Sequence, residues 1–493
     1  MPFNSITFIY FFLPLSLIAY YLVPPKFRNT ILLISSLVFY AWAGIAFLFL
    51  LVFSSIINFI FFVSISRNRN PRTRNKLFVF GVIFNVLFLF VFKYLPAINV
   101  AIGLSDVGTH ILGINSIVLP LGISYYTFKA ISSLVYINGS TNDDGVNLID
   151  YLVYLTMFQQ IASGPIDRYQ KLNSQIYHRN PTAGQFISGI RRFALGLFKK
   201  VIISGPLGII SSQIFAISPE NLSTPIAWLG AITFALQVYY DFSGYTDMAI
   251  GLGKFFGFEF SENFNFPFVS RSIKEFWRRW HITLSNWLRD YIFQPLAYSL
   301  NLKLDAESYF WIRKSDLIYY ATTVLTFLLC GIWHGATWPF IIWGLIHGLL
   351  VSFEKTKAGK WVCTRYKIVG HIYFLFFITV SFVVFQAKTM DSAVQYLGTM
   401  LGFGSGEIYW PSLTQYIDRE TSIIYVLAIL GATTILDKIN SSIPVFDLNN
   451  KRLQKIYNSS YHLIIYFGIA MTILLSTIII ISGTSNSFLY FQF

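Results

Sequence analysis

Charge is scarce in this chain. Only 12% of its 493 residues are Asp, Glu, Lys or Arg, 55% are hydrophobic, and the mean hydropathy is +0.58. Soluble domains carry about 25% charged residues, so a water-exposed fold of this size would lack the polar material to cover itself. Cysteine is nearly absent. Cys330 and Cys363 have no CxxC or Cys/His spacing around them, which excludes a disulfide framework, and Cys330 reads as a packing residue. HExxH and GxSxG stretches are missing, and the glycines of 251–254 lack phosphate-loop spacing. A metal site, an ATPase and a serine hydrolase are therefore not expected. No Lys or Arg precedes Lys26, and no small-residue cleavage site follows the first apolar run, so 6–23 is expected as the first span. With no dividing linker and no solenoid-length repeat, one membrane domain is expected over 1–493, with its catalytic core near 111–350.

What is present is a series of unbroken apolar runs. About 20 apolar residues cross a bilayer core as a helix, whereas barrel strands alternate. The expected class is an all-α polytopic membrane protein. Spans are expected near 6–23, 30–43, 44–66, 77–99, 111–137, 148–164, 186–216, 224–253, 320–350, 369–388, 421–436 and 461–482. That makes about ten to twelve transmembrane or re-entrant helices. Lys and Arg are dense at 67–76 and again at 355–367, which marks both as cytoplasmic and turns the N-terminus outward. The net charge of +14 is thereby explained without a nucleic-acid partner.

Three features break the apolar pattern. His334 lies near the middle of a run of about thirty apolar residues, where an ionisable group usually faces a cavity, partner or pathway. Gly331 and Gly335 leave room beside it for a helix or a substrate, and Pro339 is placed to kink the helix. His347 is thirteen residues on, about 20 Å along an unbroken helix. It reads as structural, unable to share a proton with His334 unless the helix breaks. Next, Asp241 and Asp247 sit in an apolar stretch and require partners, either the arginines at 278–279 or a polar substrate. Last, Phe276, Trp277, Trp280, Leu284, Trp287, Leu288 and Tyr291 share one arc of a helix, with Arg278, Arg279, Ser285, Asn286, Arg289 and Asp290 outside it. That pattern is expected of an amphipathic helix at the membrane interface, with His281 near the edge of its apolar arc.

These stretches, in their order, resemble the membrane-bound O-acyltransferase family, and most closely its bacterial polysaccharide O-acetyltransferase branch. They are Leu119–Phe128, Gly164–Arg168, Asp241–Gly251, Phe276–Asp290 and Gly331–Ala336. The resemblance implies a membrane-crossing funnel, His334 as the catalytic histidine and His281 as its supporting partner. Substrate contacts are expected from Asp241, Asp247, Trp277, Arg278, Arg279, Trp280, Ser285, Asn286 and Trp333. It implies no permanently bound cofactor. The donor would be acetyl-CoA or a carrier-protein thioester, reaching the site from the cytoplasm. The acceptor would be an extracytoplasmic polysaccharide or an acetyl-transfer partner protein, and the setting a bacterial inner membrane with its lipids. In chemical terms, histidine suits the removal of a hydroxyl proton near neutral pH, and His281 is expected to orient the thioester or stabilise the oxyanion. D-alanyl transfer to teichoic acid is the neighbouring alternative. A proton-coupled secondary transporter is the alternative of another class, disfavoured because no matching pair of interrupted helices appears in the two halves.

Overall fold

The computed structural model describes residues 1–95, 119–140, 145–309, 311–403, 413–435 and 451–483. The start of the expected 111–137 span and the last residues of 77–99 and 421–436 lie outside the described residues. Among the described residues the regular elements are helices, apart from one hairpin of two short strands that pairs Ser308 with Arg313 and Tyr309 with Ile312. Six described helices are long and apolar enough to cross a membrane: Ile45–Arg67, Pro71–Lys93, Ala183–Phe215, Lys314–His334, Lys367–Gln386 and Leu463–Ile481. Their outward residues are themselves apolar, among them Phe49, Phe80, Ile368 and Leu463. Such surfaces fit lipid rather than water.

The helices cluster into two compact units, 1–196 with 245–261, and 197–244 with 262–493. The first unit begins with a π-helical turn, Phe8–Phe12, leading into α1 (Leu13–Leu22). Then come α2 (Arg28–Ala41), α3 (Ile45–Arg67), α4 (Pro71–Lys93), α5 (Ile123–Gly139), α6 (Leu148–Thr156), α7 (Phe158–Ile161), α8 (Tyr169–Tyr177) and α9 (Ala183–Leu197). Its apolar helices are tied by polar pairs. Asn58 on α3 and Asn85 on α4 exchange amide hydrogen bonds of 3.2 and 2.6 Å, both side chains fully buried. Lys129 on α5 donates to Gln160, whose amide reaches Asp167 at 2.9 Å. The α5 entry turns at Gly122, which has φ +66°, and a Cβ there would stand 1.8 Å from the Ile161 carbonyl oxygen. Only glycine fits that turn.

The second unit contains α10 (Gly205–Phe215), the first two-thirds of α11 (Thr224–Phe255), α12 (Ile273–Arg279), α13 (Ile282–Leu288) and α14 (Gln294–Lys303). It continues with α15 (Lys314–His334), α16 (Trp338–Phe353), α17 (Lys357–Thr364), α18 (Lys367–Gln386), α19 (Met390–Met400), α20 (Arg419–Gly431) and α21 (Lys451–Ile481). Ile214, Ile226, Val383, Tyr396 and Met400 form part of one core cluster in this unit. Most expected spans thus coincide with helices to within a few residues, and the main exceptions are 148–164, which breaks at Met157, and 320–350.

The asparagine pair yields a test. Asn58→Ala leaves the buried Asn85 amide without its partner and is expected to cost about 1–3 kcal/mol. Replacing both by Leu should be nearly neutral. Thermal unfolding in detergent distinguishes the two outcomes.

Candidate active site

His334 is the last residue of α15. The chain leaves the helix over 335–337 and starts a new one at Trp338 with Pro339 in its first turn. Proline lacks an N–H that a first turn leaves unpaired anyway. It therefore opens α16 instead of kinking one long helix, and the expected span 320–350 is a helical hairpin. Glycine lets the arms touch. A Cβ on Gly331 would lie 2.3 Å from the Phe340 carbonyl oxygen, and one on Gly344 2.4 Å from that of Phe327. The room that Gly331 leaves is filled by α16.

This fold-back changes the place of His347. Trp343 packs its ring 5.1 Å from the His334 ring and 4.7 Å from the His347 ring. The distance along an unbroken helix no longer applies. His347 Nδ1 accepts a 3.1 Å hydrogen bond from Trp277 Nε1. An indole nitrogen can only donate, so the His347 ring is neutral with its proton on Nε2. That Nε2–H and the Trp343 Nε1–H are buried and have no hydrogen-bond acceptor among the described residues. His334 is itself buried, with the Trp333 and Phe385 rings 4.5 and 5.2 Å away.

His281 marks a second break. The expected continuous helix over 276–291 is two short helices, joined where His281 adopts φ 43°, ψ 50°. The segment before α12 supplies the reason. Asn265 N donates to Arg279 O at 2.9 Å and Ile282 N to Asn263 O at 3.0 Å, replacing bonds a continuous helix would make. Asn263 Oδ1 also accepts from Thr283 N at 3.1 Å and Thr283 Oγ1 at 2.9 Å, with His281 Nδ1 at 3.2 Å. A backbone N–H fixes that amide atom as oxygen, so His281 Nδ1 carries the proton and Nε2 the lone pair.

The apolar arc expected at the membrane interface is in the core of the unit instead. Phe276, Trp277, Trp280, Leu284 and Trp287 are all buried. Aromatic partners explain it: Phe276 packs on Phe374, and Trp280 on Phe264 and Phe382. Phe382 and Phe385 are neighbours at i,i+3 on α18. Trp277 also meets Trp343 at 6.0 Å. One aromatic cluster therefore holds Trp277, Trp280, Trp333, His281, His334 and His347. Ser285 and Trp277 line a mostly apolar cleft of about 190 Å³ whose polar rim is Lys274 and Arg289. Asn286 is half-buried on α13, and Arg278 is exposed.

The aspartates are paired elsewhere. Asp241 forms a buried ion pair with Lys200, with Ser204 Oγ at 3.4 Å. A π-helical segment, Phe198–Ser204, carries both partners. In the first unit, Asp247 pairs with Arg192 at 2.7 Å. Arg279 pairs with Glu275 at 3.0 Å, so neither aspartate takes up the arginines at 278–279. Sequence reasoning overlooked Lys200 and Lys129, although an isolated lysine in an apolar run is itself a signal. It also overlooked Glu354, whose carboxylate accepts from Ile273 N and Lys274 N at 2.5 and 2.9 Å and so pins the start of α12. Asn263 carried no local signal.

Residues 38–385 match the family described as MBOAT, membrane-bound O-acyltransferase. The chain belongs to this family. It is an O-acyltransferase with several membrane-crossing helices. It is 38% identical over 413 residues to the Azotobacter vinelandii protein named "Probable alginate O-acetylase AlgI", covering 82% of this chain and 79% of that one. It is 32% identical over 440 residues to the peptidoglycan O-acetyltransferase of Helicobacter pylori, covering 81% and 80%. Identity to the teichoic acid D-alanyltransferase of Bacillus subtilis is 31% over 279 residues, covering 54% and 69%.

The buried Lys200–Asp241 pair gives a prediction. Lys200→Met strands a charge and is expected to cost about 3–5 kcal/mol. Adding Asp241→Asn should restore most of the loss. Unfolding curves of the single and double variants in detergent measure the difference.

Proposed function

We propose that this acyltransferase moves an acetyl group from a cytoplasmic thioester to a hydroxyl of an extracytoplasmic polysaccharide, or of a protein that relays the group, in a bacterial inner membrane. The observation that carries the reading is His334, an imidazole at a helix end inside an aromatic enclosure. Relatives that cover more than four fifths of this chain are named for O-acetylation of alginate and of peptidoglycan. This supports acetyl over D-alanyl as the group moved, since the D-alanyltransferase matches are at 31% and 26% identity and cover 54% and 69% of the chain.

In the proposed step, His334 removes the proton of the acceptor hydroxyl. The oxygen attacks the thioester carbonyl carbon, and a C–O bond forms as the carbonyl oxygen becomes an oxyanion. Collapse breaks the C–S bond, and the thiolate leaves with the proton that His334 took. The oxyanion needs N–H donors. His281 is poorly suited to this, because its one proton is held by Asn263 and its Nε2 can only accept. It is better suited to receive and orient the acceptor hydroxyl. Trp343 Nε1–H and His347 Nε2–H are the buried donors beside His334 that fit the oxyanion role. The aromatic cleft near Trp277 and Ser285 suits the thioester arm.

Purified protein in proteoliposomes with labelled acetyl-CoA tests the base. His334→Ala should lower transfer by about 10²–10⁴-fold, and wild-type turnover would sink the assignment. Labelled aminoacyl carrier protein, run in parallel, should give no transfer. Trp343→Phe keeps an aromatic ring, though a smaller one, and removes one donor. It should lower kcat by about 10²–10³-fold with little change in KM, whereas an unchanged kcat would remove Trp343 from the oxyanion site.

A further inference from the structure

A pocket of about 700 Å³ in the first unit takes no part in the chemistry above. Three stretches far apart in sequence build it: the turn 25–30 that leads into α2, the start of α6 at 147–150, and 176–180 around the end of α8. Lys26, Arg28 and Arg179 line it against a single carboxylate, Asp150. That carboxylate is buried and already accepts from the side-chain amides of Asn29 and Asn147. None of the three cations has an ion-pair partner among the described residues.

The two arginines are held differently. Arg179 is fixed by neutral acceptors: its Nε donates to Tyr20 Oη at 3.0 Å and to the Phe256 carbonyl oxygen at 3.2 Å, and its Nη2 to Asn29 Oδ1 at 2.6 Å. None of these cancels its charge. Arg28 carries its guanidinium carbon 5.4 Å from the Tyr20 ring, and its Nε is buried with no hydrogen-bond acceptor among the described residues. Leaving a buried donor unsatisfied is costly. Arg28 also opens α2, where first-turn N–H groups add positive partial charge. Like charges gathered round one concavity repel, and an anion seated among them relieves that repulsion.

The surroundings say which anion fits. α3 ends at Arg67 on the basic loop 67–76, which the distribution of Lys and Arg assigns to the cytoplasm. α2 joins α3 through the short turn 42–44, so Arg28 stands at the cytoplasmic end of its helix. Leu22 and Phe27 are exposed beside the pocket, and Leu148, Ile149 and Tyr177 are exposed in its lining. A soluble anion would use the cations and leave this apolar rim in water. A phospholipid uses both. We propose that the pocket holds the headgroup phosphate of an anionic phospholipid of the cytoplasmic leaflet, with the acyl chains running along the exposed rim. Basic pockets between membrane helices on that side suit such headgroups. The bound lipid ties together three distant stretches and so stabilises this end of the unit. The inference is independent of the acyl-transfer reading.

The purified full chain in neutral detergent is titrated with phosphatidylglycerol, with phosphatidylcholine and with glycerol phosphate, which lacks acyl chains. Native mass spectrometry counts what binds. Phosphatidylglycerol should bind at least about tenfold tighter than phosphatidylcholine and raise the unfolding temperature, and glycerol phosphate should do neither. Lys26→Gln with Arg28→Gln should weaken phosphatidylglycerol by about 20- to 30-fold, at about fivefold per cation near a membrane surface. Arg69→Gln with Arg72→Gln, exposed cations of the basic loop outside the pocket, should leave that affinity unchanged. Should the pocket variant unfold earlier than wild type even without lipid, Lys26→Glu alone, at an exposed position, carries the test through a loss of at least about fivefold. Equal affinity for the two lipids overturns the proposal. So does equal phosphatidylglycerol affinity in wild type and pocket variant, or an equal loss in the loop variant. Glycerol phosphate binding as tightly as phosphatidylglycerol would make this a site for a soluble anion and overturn it as well.

Discussion

Asp241 is buried, and Lys200 pairs with it from a widened helical turn. The same constraint acts throughout the chain. In a hydrocarbon setting a polar group must find its partner inside the protein. Asp247 finds Arg192, Asn58 finds Asn85, and Lys129 reaches Asp167 through the amide of Gln160. Each pair fixes two helices at a particular register, because neither partner can slide without losing the other. An isolated helix of Phe, Leu and Ile has no such reference point in lipid.

With the scaffold fixed in this way, the candidate site is made where helices stop. His334 ends α15, and His281 occupies a left-handed turn between α12 and α13. Non-helical backbone at membrane depth is tolerated only where protein encloses it. Here it is enclosed by aromatic rings on one side and by Asn263, which takes up backbone and side-chain donors, on the other. A histidine in the left-handed region is uncommon but more readily accommodated than a branched residue.

Most spans were legible in the sequence because lipid demands long apolar runs whatever the tertiary fold. The breaks within them were not. The 3.6-residue pattern of 276–291 continues across His281 because both short helices bury the same side, so periodicity could not reveal the turn. Its cause, Asn263, lies eighteen residues upstream and acts through space. The nearness of His347 to Trp343 and His334 was not legible, because axial distance assumes a continuous helix. Gly335 followed by Pro339 was the available sign of a hairpin, since proline is as much a helix starter as a helix breaker. The aspartates required partners on chemical grounds, but sequence could not choose among the arginines and lysines on offer. The candidate histidines themselves were legible, because an intramembrane imidazole needs a reason wherever the helices end.

The two flanking histidines are not interchangeable, and their hydrogen bonds say why. Asn263 accepts at His281 Nδ1 and leaves a lone pair on Nε2. Trp277 donates at His347 Nδ1 and leaves a proton on Nε2. One ring therefore presents an acceptor and the other a donor, and each is held in that state by the residue it bonds. Acyl transfer needs both kinds of group at once, an acceptor for the hydroxyl that attacks and a donor for the oxygen that gains charge. A base that must gain and then release a proton cannot be locked in either state. The two rings that neighbouring residues lock in one state are thus the poorer candidates for proton transfer.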